Sequence, residues 1–567
     1  MNGSSLASGE IIYQIYPKSF QDTTQDGMGD LKGIIKRLDY IKKLGVTTIW
    51  LNPIFESPQV DNGYDVSDYY TVDSMYGDAS DLEELIEKAH ERDLKIMFDM
   101  VLNHTSEEHM WFQEAIKGKG NPYRDYYLWA SEETQTGRPN NWASFLKESA
   151  WQKEPNGEDY YFHLFHKEMP DLNWKNPKVR EEMYAVAEYW LNKGVDGLRL
   201  DAFIHIDKEP GYPSLPYIEP REIAIAEEFC ANLPNVKIYL SEFVSKLKEN
   251  YPGTYIVGEA SSALPDLALE YTYPRESKCD SIVSFRYFPE KKVEGDGPSL
   301  PLDLMKNQLD HREFKKVMSE WQRVLEPMTE PTLYLNNHDM PRIVSRYGDE
   351  DKFRDESSKT FATLMYLQKG VPVILYGEEI GMKNLILETL EETKIGTTPE
   401  IREFLFENLI NHNYSVEEAL KFLEMRNLYA SRGAMQWTTE KFSGFSAVRP
   451  WSGVNSEKKY TVEEQEEDDN SILNFYRNLL VLKKTDLFTR GTFEMQLSPD
   501  NIFAYKREYE GECALVFANL SDQDCYMDVS EYITKQSEVL FENGQVKVSD
   551  EILTFSPYAS IVWKCNK

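Results

Sequence analysis

The chain has 567 residues, with 96 Asp or Glu against 62 Lys or Arg, for a formal net charge of −34. Such a surface repels a phosphate backbone, which excludes nucleic acid as the expected partner. Apolar residues make up 41% of the chain, enough for a large core and too many for global disorder. No stretch of about 18 uncharged apolar residues exists, so no membrane span is expected.

The opening MNGSSLASGE lacks the basic and apolar segments of a secretory signal. Cys230, Cys279, Cys513, Cys525 and Cys565 are far apart and in no CxxC spacing. That pattern predicts reduced thiols in a cytoplasmic protein, neither a disulfide framework nor a zinc site.

Short, apolar, β-branched runs recur along the first two-thirds of the chain: Ile11–Tyr16, Val46–Leu51, Lys95–Val101, Gly197–Leu200, Tyr255–Gly258, Ser281–Phe285, Thr332–Leu335 and Val371–Tyr376. Each is too short for a helix, and near-continuous hydrophobicity predicts strands buried on both faces of a parallel sheet. Helical patterns lie between them. Leu31, Ile34, Ile35, Leu38, Ile41 and Leu44 share one helical face, as do Leu82, Leu85, Ile86 and Ala89. Eight strands alternating with helices predict an α/β fold, a (β/α)₈ or TIM barrel.

The long gap after the third run is rich in Trp, Tyr, Asn and Gly, as in NPYRDYYLWA and DYYFHLF, and predicts a small inserted domain over residues 104–174. The barrel then comprises residues 1–103 and 175–486, closed by the helix Ile472–Lys484. The acidic run Val462–Asp469 reads as a solvated helix start. From about Leu487 the pattern turns to short alternating strands, predicting a C-terminal antiparallel β-domain over 487–567.

In a barrel, chemistry sits at the C-terminal strand ends. Four of the eight ends carry a carboxylate: Asp99 in KIMFDMVLNH, Asp201 in GVDGLRLDAF, Glu259 in TYIVGEASS and Asp339 in LYLNNHDMPR. A single one could be a helix cap; four around one mouth point to a site. The chain shows no GxSxG, no HExxH and no phosphate-cradling glycine loop, and its nine His form no HxH pair at a strand end. That leaves glycoside cleavage, which needs only acids: one ionised nucleophile and one protonated acid. Arg199, two residues before Asp201 and on the same strand face, is expected to hold that aspartate ionised. Like-charge repulsion is expected to keep Glu259 protonated.

DMVLNH, GLRLDAF, GEASS and NNHD, in this order, resemble the signature regions of the α-amylase family, glycoside hydrolase family 13, and MPDLNW resembles a fifth. IIYQIYPKSF, DNGYDVSDY, SRGAMQW and GVPVILYGEEIGM are similar to the oligo-1,6-glucosidase and α-glucosidase subgroup. The resemblance implies Asp201 as nucleophile, Glu259 as general acid/base and Asp339 as the third carboxylate. It implies Asp61, Tyr64, His104, Arg199 and His338 as contacts to the terminal glucose, with Phe165 as an aromatic wall. Arg432 of SRGAMQW is implied to close the pocket with Asp61, making the enzyme exo-acting. The implied activity is a retaining α-glucosidase on short oligosaccharides. It is expected to work without membrane association, as a monomer or weak homo-oligomer.

Ala202, the residue after the nucleophile, implies α-1,4 preference with additional α-1,6 activity, since Val there accompanies α-1,6 cleavage in this subgroup. Oligo-1,6-glucosidase, trehalose-6-phosphate hydrolase, and transglucosylase or sucrose isomerase activities stay open as alternatives. Met169, Tyr376, Gly433-Ala434 and Leu146 depart from the subgroup's pattern and leave acceptor-side specificity open. Carboxylates and glycines alternate from Asp22 to Asp30, a hard-cation pattern resembling the family's calcium loop. It implies Asp22, Thr24, Asp26, Met28 and Asp30 as ligands of a structural Ca²⁺, with Mg²⁺ as the alternative.

Overall fold

The computed structural model describes residues 9–565, apart from 132–135, 156, 220–221, 274–277, 294–305, 327, 393–398, 428, 531 and 533–537. Each of the eight apolar runs forms a strand: β1 (Ile12–Ile15), β2 (Thr48–Leu51), β3 (Lys95–Val101), β4 (Gly197–Asp201), β5 (Tyr255–Glu259), β6 (Ser281–Val283), β7 (Thr332–Tyr334) and β8 (Val371–Leu375). They form one eight-stranded sheet in the order β6-β5-β4-β3-β2-β1-β8-β7, a nearly closed (β/α)₈ barrel. The side chains of β1, β2, β4, β6 and β8 are buried throughout, as parallel strands covered on both faces require.

The chain divides into two compact units. The first comprises Trp50–Glu91 and Lys95–Phe285. Here β4 lies between β3 and β5 in parallel register, with Arg199 opposite both Asp99 and Val257. Helix α1 (Ala79–His90) starts at a capping box made by Asp78 and Asp81 and buries Leu82, Leu85, Ile86 and Ala89, the face its spacing predicts.

The segment after β3 builds a three-stranded antiparallel sheet from Trp129–Ser131, Asp159–Phe162 and Trp151–Lys153. Its small core packs Trp142, Trp151, Phe162 and Leu164, and also takes Leu215, Ala226 and Cys230 from the chain after β4. Trp142–Ala143 pairs with Ala224–Ile225. The tryptophan-rich insertion therefore shares its core with a second long loop.

The other unit comprises Met1–Ile49, Arg92–Leu94 and Arg286–Lys567. The helical face predicted from Leu31 to Leu44 is split between Leu31–Lys36 and Leu38–Leu44. Arg37 stands between them at φ −104° and ψ 4°. Its side chain explains the break: Nε donates to Gln21 Oε1 at 2.8 Å and the guanidinium lies 3.9 Å from the Trp437 ring centroid. Gly33 is required there, because a Cβ would lie 2.0 Å from the Gln21 carbonyl oxygen.

The C-terminal strands are β9 (Thr492–Met495), β10 (Ile502–Tyr509), β11 (Glu512–Asn519), β12 (Cys525–Asp528), β13 (Glu538–Asn543), β14 (Val546–Ser549), β15 (Ile552–Phe555) and β16 (Ser560–Cys565). They form antiparallel sheets in the orders β9-β10-β11-β16-β13 and β12-β15-β14. Ile502, Phe517, Leu553, Phe555 and Trp563 meet in their common core. The reading of all five cysteines as unpaired thiols is corrected here. Cys513 and Cys565 face each other in the β11–β16 register and are joined by a disulfide, while Cys230, Cys279 and Cys525 are free and buried. Fifty-two residues separate the pair along the chain, and only strand pairing brings them together. Among the described residues no helix is long and apolar enough to cross a membrane.

Candidate active site

In the first unit the parallel register sets Arg199 beside Asp99, and the period of two on β4 puts Asp201 on the same face as Arg199. The guanidinium then reaches three acids. One terminal nitrogen donates to Asp99 Oδ1 at 2.6 Å and to Asp201 Oδ1 at 2.5 Å; the other donates to Glu259 Oε2 at 2.5 Å. Asp99 also accepts from Trp50 Nε1 at 3.2 Å and from the Tyr64 hydroxyl at 3.0 Å. Asn52 donates to that hydroxyl at 2.7 Å. Ala202 takes the left-handed conformation at φ 46°, which lets its N–H donate to Glu259 Oε2 at 3.2 Å.

Burial dominates the electrostatics. Three carboxylates share one guanidinium, a formal −2 when all are ionised, and desolvation opposes that charge. Asp99 is pushed up to about 6, with Arg199 pulling the other way. Burial also lifts Asp201 well above the usual carboxylate range, against the pull of Arg199. The expectation that Arg199 keeps Asp201 ionised meets an opposing effect: the guanidinium is divided among three acids, and burial shifts Asp201 toward its protonated form.

The DNGYD loop turns at Asn62 (φ 52°) and Gly63 (φ 102°), with Tyr64 N–H closing onto the Asp61 carbonyl. Positive φ at both central residues is the asparagine-glycine turn preference. The Asp65 carboxylate accepts from the amides of Val60 and Asp61 and fixes the loop, leaving Asp61 half-buried. His104 is buried, and its Nε2 lies 3.2 Å from the Tyr64 carbonyl. Burial lowers its pKa to about 4, so it is neutral at ordinary pH. Phe165 packs at 5.1 Å from the His104 ring and 5.4 Å from Phe145.

In the other unit, Asp339 follows β7. Its Oδ2 lies 3.2 Å from His338 Nε2, and its Oδ1 accepts from Arg432 at 2.9 Å. Arg432 also donates from Nε to the His338 carbonyl at 2.8 Å and from a terminal nitrogen to the Tyr16 hydroxyl at 3.3 Å. Gln14 on β1 lies 2.9 Å from His338 Nδ1. Just after β8, buried Glu378 accepts from Tyr366, Tyr476 and Asn336, and Asn336 accepts in turn from the Ile343 amide. This braces the loop bearing His338 and Asp339 against the end of β8.

The side chains of Asp22, Asp26 and Asp30 hydrogen-bond to their own loop and to Ser446. Asp22 accepts from the amides of Gln25 and Gly27 and from the hydroxyls of Thr24 and Ser446. Asp26 accepts from the Met28 amide, and Asp30 from those of Thr23 and Gly33. Among the described residues no three acidic, imidazole or thiol side chains are gathered as a metal-holding group.

The sequence places Asp99 among the four strand-end acids without an individual role, and it does not single out Trp50, Asn52 or Asn103. The available signal for Asp99 was its place one strand over from Arg199 at matching depth. Asn103, in the same DMVLNH run as His104, could have been read with it.

The fold and these clusters define a barrel enzyme that works with carboxylates, and comparison with known proteins gives its family. Residues 14–491 match the alpha amylase catalytic domain, and residues 495–562 the maltogenic amylase C-terminal domain. The chain therefore belongs to the α-amylase family of glycoside hydrolases, family 13. It is 37% identical over 560 residues to an oligo-1,6-glucosidase of Bacillus cereus, covering 98% of each chain. It is 36% identical over 566 residues to a trehalose-6-phosphate hydrolase of Bacillus subtilis (strain 168), again covering 98% of each. A solved structure of a family GH13_31 enzyme aligns with a TM-score of 0.88 at 41% identity, over 99% of this chain and 100% of that one.

Proposed function

We propose that the protein is an exo-acting, retaining α-glucosidase that removes terminal glucose from short oligosaccharides, preferring α-1,4 bonds with additional α-1,6 activity. The observation that carries this reading is the Arg199 guanidinium holding Asp99, Asp201 and Glu259 together. Retaining cleavage needs a nucleophilic and an acidic carboxyl side by side, and the shared guanidinium holds Asp201 and Glu259 in that relation.

Asp201 attacks the anomeric carbon while Glu259 protonates the departing glycosidic oxygen, forming a glucosyl ester. Glu259, now ionised, takes a proton from water as that water attacks the same carbon; the ester bond breaks and Asp201 is freed. Two inversions give net retention. Asp339 is assigned the role of gripping sugar hydroxyls, supported by its NNHD context and its own pairing with His338 and Arg432. Asp61, Tyr64, His104 and Phe165 are assigned to the bound glucose, supported by the way Tyr64 joins the DNGYD turn to Asp99.

The linkage preference rests on Ala202, whose small side chain leaves room beside the nucleophile. One panel decides the reading: maltose, isomaltose, sucrose, trehalose, trehalose-6-phosphate and panose, with products identified. Fastest turnover on maltose with release of α-glucose is expected. Turnover confined to isomaltose and panose would make the protein an oligo-1,6-glucosidase, and turnover confined to trehalose-6-phosphate would make it a phosphotrehalase.

A further inference from the structure

A second buried polar network lies behind the candidate site, within the same unit, and its hydrogen bonds have only one self-consistent direction. Lys208, beyond the end of β4, is almost wholly buried with its ammonium 2.7 Å from Asp171 Oδ2 and 3.1 Å from Asn103 Oδ1. It also donates to the His205 carbonyl, and the ammonium lies 5.3 Å from the Phe162 ring centroid. An ammonium can only donate, so the Asn103 oxygen must be the atom that faces it. The Asn103 amide nitrogen then faces Asp171 Oδ2 at 2.9 Å and His104 Nδ1 at 3.3 Å.

An amide nitrogen can only donate as well, so His104 Nδ1 must accept and the ring proton must sit on Nε2. That proton points at the Tyr64 carbonyl, which can only accept, at 3.2 Å. At the other end of Tyr64, the hydroxyl donates to Asp99, which shares Arg199 with Asp201 and Glu259. Asp171 is locked from its far side, its Oδ1 accepting from the Leu164 amide at 2.9 Å.

We propose that Lys208, acting through Asn103, fixes His104 in its Nε2–H tautomer, and that His104 thereby holds the Tyr64 carbonyl and the turn that delivers Tyr64 to Asp99. Lys208 and Asn103 are positioning residues, since neither touches the three acids joined by Arg199. The part they play in catalysis rests on the α-glucosidase reading; the tautomer does not. The neutral state of His104 fits this order, because an imidazolium would present a proton to the Asn103 amide.

The test is a long-range ¹H–¹⁵N correlation spectrum of [¹⁵N]histidine-labelled protein without substrate, with His104 assigned by the signals lost in His104→Gln. The expected result between pH 6 and 8 is a bare Nδ1 and a protonated Nε2. A protonated Nδ1, a mixture of tautomers or an imidazolium would overturn the proposal. The second arm is Asn103→Asp, whose carboxylate can only accept and so demands a proton on Nδ1. That variant is expected to switch tautomer and to lose at least tenfold in kcat/KM on p-nitrophenyl α-glucoside. A folded Asn103→Asp protein that keeps the Nε2–H form would also overturn it, and if that variant does not fold, the spectrum of the unsubstituted protein decides. The expected tautomer in a protein with no α-glucosidase activity would sink the functional reading and leave this inference standing.

Discussion

Arg199 and Asp99 are register partners on adjacent parallel strands, and the guanidinium of one donates to the carboxylate of the other at 2.6 Å. Asp99 anchors the cation from which Asp201 and Glu259 are also held, so its protonation loosens the whole group.

Because burial lifts Asp99 to about 6, it takes up a proton as the pH falls through that value. The acid limb of kcat/KM is expected to have a midpoint near pH 6. Asp99→Asn is expected to displace that limb and lower kcat/KM at pH 7 by roughly 10–100-fold, the worth of a charge-assisted hydrogen bond. A pH–rate profile of the two proteins checks this; an unmoved limb would assign the titration elsewhere.

Covalent catalysis separates Asp201 from Glu259. Asp201→Asn is expected to lose activity by roughly 10³-fold or more at every pH, since an amide cannot form the ester. Glu259→Gln is expected to keep glucosylation from an activated aryl glucoside and to stall at the ester. Azide, a nucleophile that needs no general base, should then restore turnover and yield α-glucosyl azide. Rescue of the Asp201 variant with the same anomer of product would reverse the two assignments.

Ala202 holds a left-handed backbone that a β-branched side chain tolerates poorly. Ala202→Val is expected to destabilise the fold by about 1–2 kcal/mol and to shift the maltose-to-isomaltose rate ratio toward isomaltose. Thermal unfolding and paired kinetics measure both. A ratio that stays constant refutes the linkage role, whatever happens to the melting temperature.

Glu378 is buried and raised to about 7, against 4.5 for an exposed glutamate. The folded form therefore binds a proton that the unfolded chain releases between those values. Its contribution to stability is fully present below about pH 4.5 and is lost as pH rises through 7. The stability of the unsubstituted protein relative to Glu378→Gln should fall by on the order of 2–3 kcal/mol between pH 5 and pH 8. Chemical denaturation at the two pH values tests this, and a constant difference would mean Glu378 does not titrate in that window.

The barrel was legible because strands covered on both faces must be apolar throughout, and its acids because they interrupt those runs at their C-terminal ends. The pairing of Arg199 with Asp201 followed from the period of two alone. What stayed hidden depends on juxtaposition across the sequence. Asp99 and Arg199 meet through register, and Cys513 and Cys565 through strand pairing. The shared core under Trp142 and Leu215 joins two separate insertions. The helix break at Arg37 needed Trp437, which lies four hundred positions further along. Local pattern also could not foresee that burial outweighs Arg199 at Asp201, because that balance depends on how many acids draw on one cation.

The strand Ser560–Cys565 sits between β11 and β13 and pairs antiparallel with both. Each of those two neighbours has this strand as its hydrogen-bonding partner on that side. Losing it would leave β11 and β13 with facing rows of unpaired backbone groups, the kind of open edge on which other chains pair.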